Sequence, residues 1–256
     1  LESRGLIIPD RNAAINLLSN ISYYRLRAYT YPYQDNSGSG HNFTTSISLQ
    51  EIIEIYTFDR RLRLLLFDAI EKIEVSIRTQ IIYNWSMKYG SHWQNDINLY
   101  RDHSRASSLL QSLKNEIDRE SETFIAHYKS KYTNPLDPPS WMSLEVSSFG
   151  LLSLIFLQLK KCHEKKTVSL YFGLNDISIM ENWMHCLCNV RNICAHHGRL
   201  WNRRLTTHIK YPTNPINQFI SDQSVPPYKL YSTLVIIRYF LNIINPDNAF
   251  NSELIT

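Results

Sequence analysis

Apolar residues recur at spacings of three and four along most of this chain, the period of helices that bury one side. The clearest run predicts a long helix over about 48–86, with Leu62, Leu66, Ala69, Ile73, Ile77 and Ile81 in phase. Glu74 and Arg78 stand four apart in it and are expected to pair on its surface. Its Arg60, Arg61 and Arg63 read as a solvated basic face, with a nucleic-acid contact as the less favoured alternative. Ahead of it, residues 10–20 predict a short helix capped by Asp10, with Ala13, Ala14, Leu17 and Leu18 on one side. A second, aromatic helix follows from Ile21 to Tyr29; an aromatic stripe belongs in a core, so Tyr23 and Tyr24 are expected inside, with Arg25 and Arg27 in solvent or, as the less favoured alternative, on phosphate. Residues 34–46, rich in Gly, Ser and Asn, read as a flexible loop with His41 exposed.

Beyond a break at Gly90, the pattern predicts a helix over about 104–131 and another over 141–160, joined by the rigid connector Asn134-Pro-Leu-Asp-Pro-Pro-Ser. A short helix over 166–172 and a final apolar helix over 228–245, stopped by Pro246, complete the set. No alternating strand pattern persists and no internal repeat is evident, so the fold class is all-α and one domain is expected.

The most informative stretch is 176–204. Asn175 or Asp176 is placed to cap a helix, Ser178 and Glu181 have capping-box spacing, and Gly198 is expected to close it in a left-handed conformation. Trp183, Leu187, Val190 and Cys194 form an apolar stripe, while His185, Asn189, Asn192, His196 and Arg199 form a polar one on the other side. The polar stripe holds no carboxylate and no lysine. A solvated face usually mixes both, so this composition points to a site; a capped helix whose amides and imidazoles bond nearby backbone would look the same. Arg191 and His196 make an R-x4-H pair, and Arg191 with His197 makes R-x5-H. Chance alone supplies roughly two R-x4–6-H pairs in a chain of this composition, and Arg203 with His208 is another. Context separates the first: it ends a well-signalled helix, with Asn after the Arg and further Arg just beyond.

Composition narrows the class. Hydrophobic residues make up 43% of 256 and Gly numbers only 7, which favours a folded, helix-rich chain. The net charge of +4 is compatible with an anionic partner. No apolar run reaches the length of a membrane span and no signal peptide is visible, so no membrane contact and a cytoplasmic location are expected. Cys162, Cys186, Cys188 and Cys194 are expected as reduced thiols; a zinc site from the last three and a His fits no common spacing.

Several segments together resemble the AbiD/AbiF-type abortive-infection (Abi-like) family. They are Ser22-Tyr-Tyr-Arg-Leu, Phe58-Asp-Arg-Arg-Leu-Arg, Ile73-Glu-Val-Ser-Ile-Arg, Phe124-Ile-Ala-His-Tyr, Pro139-Ser-Trp-Met with Phe149-Gly, and Arg191-Asn-Ile-Cys-Ala-His-His-Gly-Arg-Leu-Trp-Asn-Arg. They occur in family order over about 5–245. The resemblance implies membership of the HEPN superfamily of helical RNases: a HEPN-like helical core over about 48–245 with an N-terminal helical elaboration over about 1–47. It also implies a metal-independent endoribonuclease acting as an anti-phage toxin, with no cofactor. Carried over, Arg191, Asn192 and His196 take the catalytic places, and His197, Arg199, Asn202 and Arg203 the RNA-binding ones. RNA is then the substrate, a homodimer pools one motif per protomer, and a small noncoding RNA or a protein antitoxin restrains the toxin.

The chemistry fits the residue types. The RNA's own 2′-hydroxyl attacks the adjacent phosphate, so a proton carrier and a fixed cation are needed. Imidazole titrates near neutrality, and guanidinium stays charged and binds two phosphate oxygens at once. Arg191 and His196 are separated by about 140° around the helix, so the Arg must reach across or act from a second subunit. A non-catalytic RNA-binding protein and a protein-interaction module of phage defence are the alternative readings.

Overall fold

The computed structural model describes residues 1–219, 222 and 224–255. Among these there are helices and isolated bridges but no strands, as the periodicity requires. In chain order the helices are α1 (Arg11–Asn20), α2 (Tyr23–Thr30), α3 (Leu49–Tyr89), α4 (His103–Arg119), α5 (Thr123–Lys131), α6 (Ser140–Ser143), α7 (Phe149–Gln158), α8 (His163–Tyr171), α9 (Ile177–Ala195), α10 (Leu230–Ile244) and α11 (Phe250–Ile255). The chain divides into two compact units. The smaller holds Leu1–Leu66 and Ile193–Arg203, the larger Phe67–Asn192 and Arg204–Thr256. Two helices, α3 and α9, run from one unit into the other.

The smaller unit is built on local capping. Asp10 accepts the Ala13 amide at 3.0 Å and starts α1. Ser22 starts α2 through the Arg25 amide. Ser48 and Glu51 form a reciprocal capping box at the head of α3, the Ser48 amide donating to Glu51 at 2.8 Å and the Glu51 amide to Ser48 at 3.2 Å. Leu6, Ala14, Leu26, Tyr29, Ile47, Leu49 and Ile52 form the core. Trp201 stacks against Tyr29 and Tyr33 at centroid distances of 6.4 and 6.5 Å. The aromatic expectation for α2 is corrected: Tyr29 is the buried ring, whereas Tyr23 and Tyr24 are 40% and 84% exposed. The helix begins two residues later than the sequence pattern put it, and the buried side falls on Leu26, Tyr29 and Thr30. His41 is half-buried, not free in solvent, because the Arg27 guanidinium lies 3.2 Å from its Nε2.

In the larger unit the remaining turns of α3 bury Ala69, Ile70, Ile73, Ile77, Ile81 and Trp85. Trp85 meets Trp93 and Phe156, and Trp183 of α9 meets Tyr239 and Phe240 of α10. At Gly150 a Cβ would stand 3.4 Å from the Cys188 sulfur, so α7 and α9 approach closely there. Two helical expectations need correction. The run over 104–131 is two helices, broken at Glu120, whose carboxylate accepts the amides of Ser121 and Glu122. The run over 141–160 is also interrupted: α6 ends at Ser143, and Ser148 caps a fresh start. The cause of the second break is Arg78. It donates to the carbonyls of Leu144, Glu145 and Ser147, carbonyls that a continuing helix would pair with later amides. Arg78 does pair with Glu74, at 2.6 Å, but as a buried ion pair and not the surface one expected.

Candidate functional site

Asp176 caps α9, accepting the amide and hydroxyl of Ser178 at 2.7 and 2.8 Å. Glu181 does not complete the capping box with Ser178. It turns to Lys165, 2.7 Å away and fully buried, whose charge would otherwise lack a partner. Burial pulls the Lys165 ammonium below its ordinary range, and Glu181 works the other way. The apolar stripe stands, and the polar stripe stands as far as Asn192; α9 ends at Ala195, so His196 and Arg199 lie beyond the helix and not on it. Trp183, Leu187, Val190 and Cys194 are buried; His185, Asn192 and His196 are exposed, with Asn189 and Arg199 half-buried. All four cysteines are free. Burial pushes the Cys186 thiol up to about 11 and the Cys194 thiol up to about 12. Among the described residues no three His, Cys, Asp or Glu side chains gather as a metal ion would require.

The predicted catalytic set falls into two parts. Arg191 and Asn192 belong to the larger unit, His196 to the smaller. In the larger unit the Arg191 guanidinium lies over the Phe67 ring at 5.5 Å, and its Nε stands 3.8 Å from Glu74. Glu74 gives its closer contact to Arg78, so its hold on Arg191 is loose. The Arg191 side chain remains one-third exposed (33%) and reaches the Asn192 amide oxygen at 3.5 Å. Asn192 donates to the Cys188 sulfur at 3.7 Å, which orients the amide without burying it.

In the smaller unit the end of α9 is a Schellman closure. The Gly198 amide donates to the Ile193 carbonyl at 2.7 Å and the His197 amide to the Cys194 carbonyl at 3.0 Å. The left-handed residue is His197, φ 56°, and not Gly198. Gly198 is needed for room: a Cβ there would meet the Ile193 side chain at 3.1 Å and its carbonyl oxygen at 3.2 Å. His196, just before the closure, is exposed and its ring has no hydrogen-bond partner among the described residues. Arg25 donates to the His197 carbonyl at 2.9 Å, Arg199 to the Ala28 carbonyl at 2.8 Å, and Arg203 to the Arg199 carbonyl at 3.3 Å. Asn202 is exposed with φ 48°, a second left-handed residue that is not Gly.

What fixes this segment is a residue the sequence reading passed over. Asp59 is fully buried, and one oxygen accepts the amides of Leu200 and Trp201 at 3.0 and 2.7 Å. Its other oxygen accepts the Tyr29 hydroxyl at 2.6 Å and the guanidinium of Arg63. Burial and then the bond to Asp59 push the Tyr29 phenol up to about 12, so it remains a donor at any physiological pH. Arg63 is therefore buried and paired, unlike the exposed Arg60 and Arg61 with which it was grouped. The signal was available: Ile52, Asp59, Leu66 and Ile73 stand seven apart, as do Arg63 and Ile70. A charged pair in the phase of a core stripe is a buried network in the making.

The architecture defines an all-helical protein that carries a rigidly held, arginine-rich segment after a central helix. A family model described as Abi-like protein matches residues 16–202. With well over half of it inside that match, the chain belongs to the Abi-like protein family. Membership connects it with abortive infection, a defence against phage. No curated protein and no solved structure matches it. Among the described residues no helix is long and apolar enough to cross a membrane.

Proposed function

We propose that this protein is a HEPN-type, metal-independent endoribonuclease that acts as the toxin of an abortive-infection system and works as a homodimer. The observation that carries the reading is His196: an exposed imidazole with no partner among the described residues, immediately after the helix that bears Arg191. In this reading His196 moves the proton as the RNA 2′-hydroxyl attacks the neighbouring phosphate. The P–O5′ bond breaks, and the departing 5′ oxygen takes up a proton. Arg191 holds the charge that builds on phosphate, and Asn192 orients it. His197, Arg199, Asn202 and Arg203 contact the RNA backbone. Arg199 and Arg203 each spend a donor on a carbonyl, and a guanidinium has five, so both keep donors for phosphate.

The test is purified protein incubated with total RNA beside Arg191→Ala and His196→Ala variants. Cleavage is expected to persist in excess EDTA and to leave 2′,3′-cyclic phosphate and 5′-hydroxyl ends. Each variant should lose about 10²- to 10⁴-fold in rate. Full activity in His196→Ala would remove His196 from the mechanism, and loss confined to His197→Ala would shift the register to R-x5-H.

A second reading has its own observation. Arg191 already lies over Phe67 and beside Glu74, as a structural arginine would. On that reading the segment binds RNA without cutting it, and the same assay returns intact RNA with salt-sensitive retention on a gel.

A further inference from the structure

Ser22-Tyr-Tyr-Arg-Leu leaves two rings that the fold does not use. Tyr24 is 84% exposed, Tyr23 beside it 40%, while the packing of α2 is done by Leu26 and Tyr29. The Tyr24 hydroxyl has no partner among the described residues, and the Tyr23 hydroxyl accepts only a 3.4 Å contact from Arg4. Tyr24 also has a definite address. It stands four residues before Ala28, on the same side of α2, and the Ala28 carbonyl is the one that Arg199 binds. The next residue, Arg25, binds the His197 carbonyl. Two hydrogen bonds thus tie α2 to the segment that follows α9, all within the smaller unit.

The two segments joined by these bonds carry charge of one sign. Residues 22–30 and 193–203 contain Arg25, Arg27, Arg199 and Arg203 with two histidines and not one carboxylate. An exposed aromatic face flanked by guanidinium groups binds a nucleobase by stacking while the cations take the phosphates on either side. A base inside a duplex has both faces covered by its neighbours, so only an unpaired base can use such a ring. We propose that Tyr24, with Arg25 beside it, is the stacking platform for an unpaired base, and that the substrate is single-stranded RNA running along residues 197–203. This rests on the RNA reading above and adds the strand class and the residue that selects it.

The experiment uses the full chain with His196→Ala to prevent cleavage, and a fluorescein-labelled oligoribonucleotide offered single-stranded or annealed to its complement. Tyr24→Ala should weaken single-strand binding about tenfold or more, the range of one lost base–aromatic stack. Tyr24→Phe should bind as the parent does, and duplex affinity should be the same in all three. The side chain is solvent-exposed, so the helical circular dichroism of the alanine variant should match the parent. Equal single-strand affinity in Tyr24→Ala and the parent overturns this inference alone and leaves the RNA reading standing. Equal losses for single strand and duplex also overturn it. Unchanged RNA binding with loss of self-association in sedimentation would reassign the ring to a protein contact. A parent that retains no RNA of either form overturns the inference and the RNA reading together.

Discussion

His197 sits in a left-handed conformation that costs an L-residue roughly 1 kcal/mol relative to Gly, and Gly198, beside it, has an ordinary backbone. The two positions make opposite predictions. His197→Gly should raise the unfolding free energy by about 1 kcal/mol, because the closing turn keeps its two amide bonds and sheds the strain. Gly198→Ala should lower it by about 1–3 kcal/mol, because the new methyl meets the Ile193 carbonyl that the turn must keep. Urea unfolding of the two variants checks both signs, and equal losses would contradict the assignment. Strained residues persist where the surroundings over-determine them, and they gather at functional sites. Here the surroundings are Arg25 on the His197 carbonyl and Asp59 on the amides three and four residues further on.

At the scale of elements, α3 does two jobs. Its periodic side supplies core, and at Asp59 and Arg63 the same side supplies a buried ionic network. Removing one member of such a pair leaves the other charged and dry. Asp59→Ala is therefore expected to cost about 3–5 kcal/mol, and hydrogen exchange should report the Leu200 and Trp201 amides as the newly exposed ones. Protected amides at both positions in a folded Asp59→Ala chain would show that something else holds the segment. The same network marks where the sequence was legible and where it was not. Periodicity located α1, α3, α9 and α10 to within a few residues, since each has a continuous stripe and a cap or stop within local view. It fused α4 with α5, and α6 with α7, because those breaks are made by Glu120 turning back on two amides and by Arg78 reaching carbonyls 66 to 69 residues away. It singled out His196 and Arg199 through the polar stripe, whereas Arg203 was named only by the family resemblance. It missed that Arg25 and Asp59 hold their segment: the phase of Asp59 marks that side chain as buried, but the partners of the two residues lie 172 and 141 residues away and leave no local trace. α11 escaped notice altogether, a single short helix after the Pro246 stop.

For the molecule as a whole, carboxylate chemistry points to resistance to mild acid. Burial disfavours the charged form of Glu164. Hydrogen bonds from Lys88, the backbone, Cys162 and Tyr89 outweigh it and draw the carboxyl from an ordinary 4.5 down to about 2. Asp35, Glu51, Asp176 and Asp222 are also lowered, each by serine amide and hydroxyl donors. A folded value below the unfolded one means that the stabilisation is complete above the unfolded value and is lost as pH falls through the folded one. The thermal midpoint should therefore stay level from neutrality to about pH 4.5 and decline from there toward pH 2. Glu164→Gln should begin lower and decline less over that interval. A parent and variant that fall in parallel would mean that Glu164 takes no part.

The bond between Asp59 and the Leu200 amide spans 141 residues, and that distance is also a delay. A ribosome adding about 5–20 residues per second makes the aspartate about 7–28 s before the amide it will hold. Throughout that interval the smaller unit lacks Trp201, whose ring stacks on Tyr29 and Tyr33, and the chain carries no segment 197–203 at all. A nascent chain that has not reached residue 200 thus has no ordered arginine segment. Order in that part of the protein arrives only once residues 200 and 201 have been added.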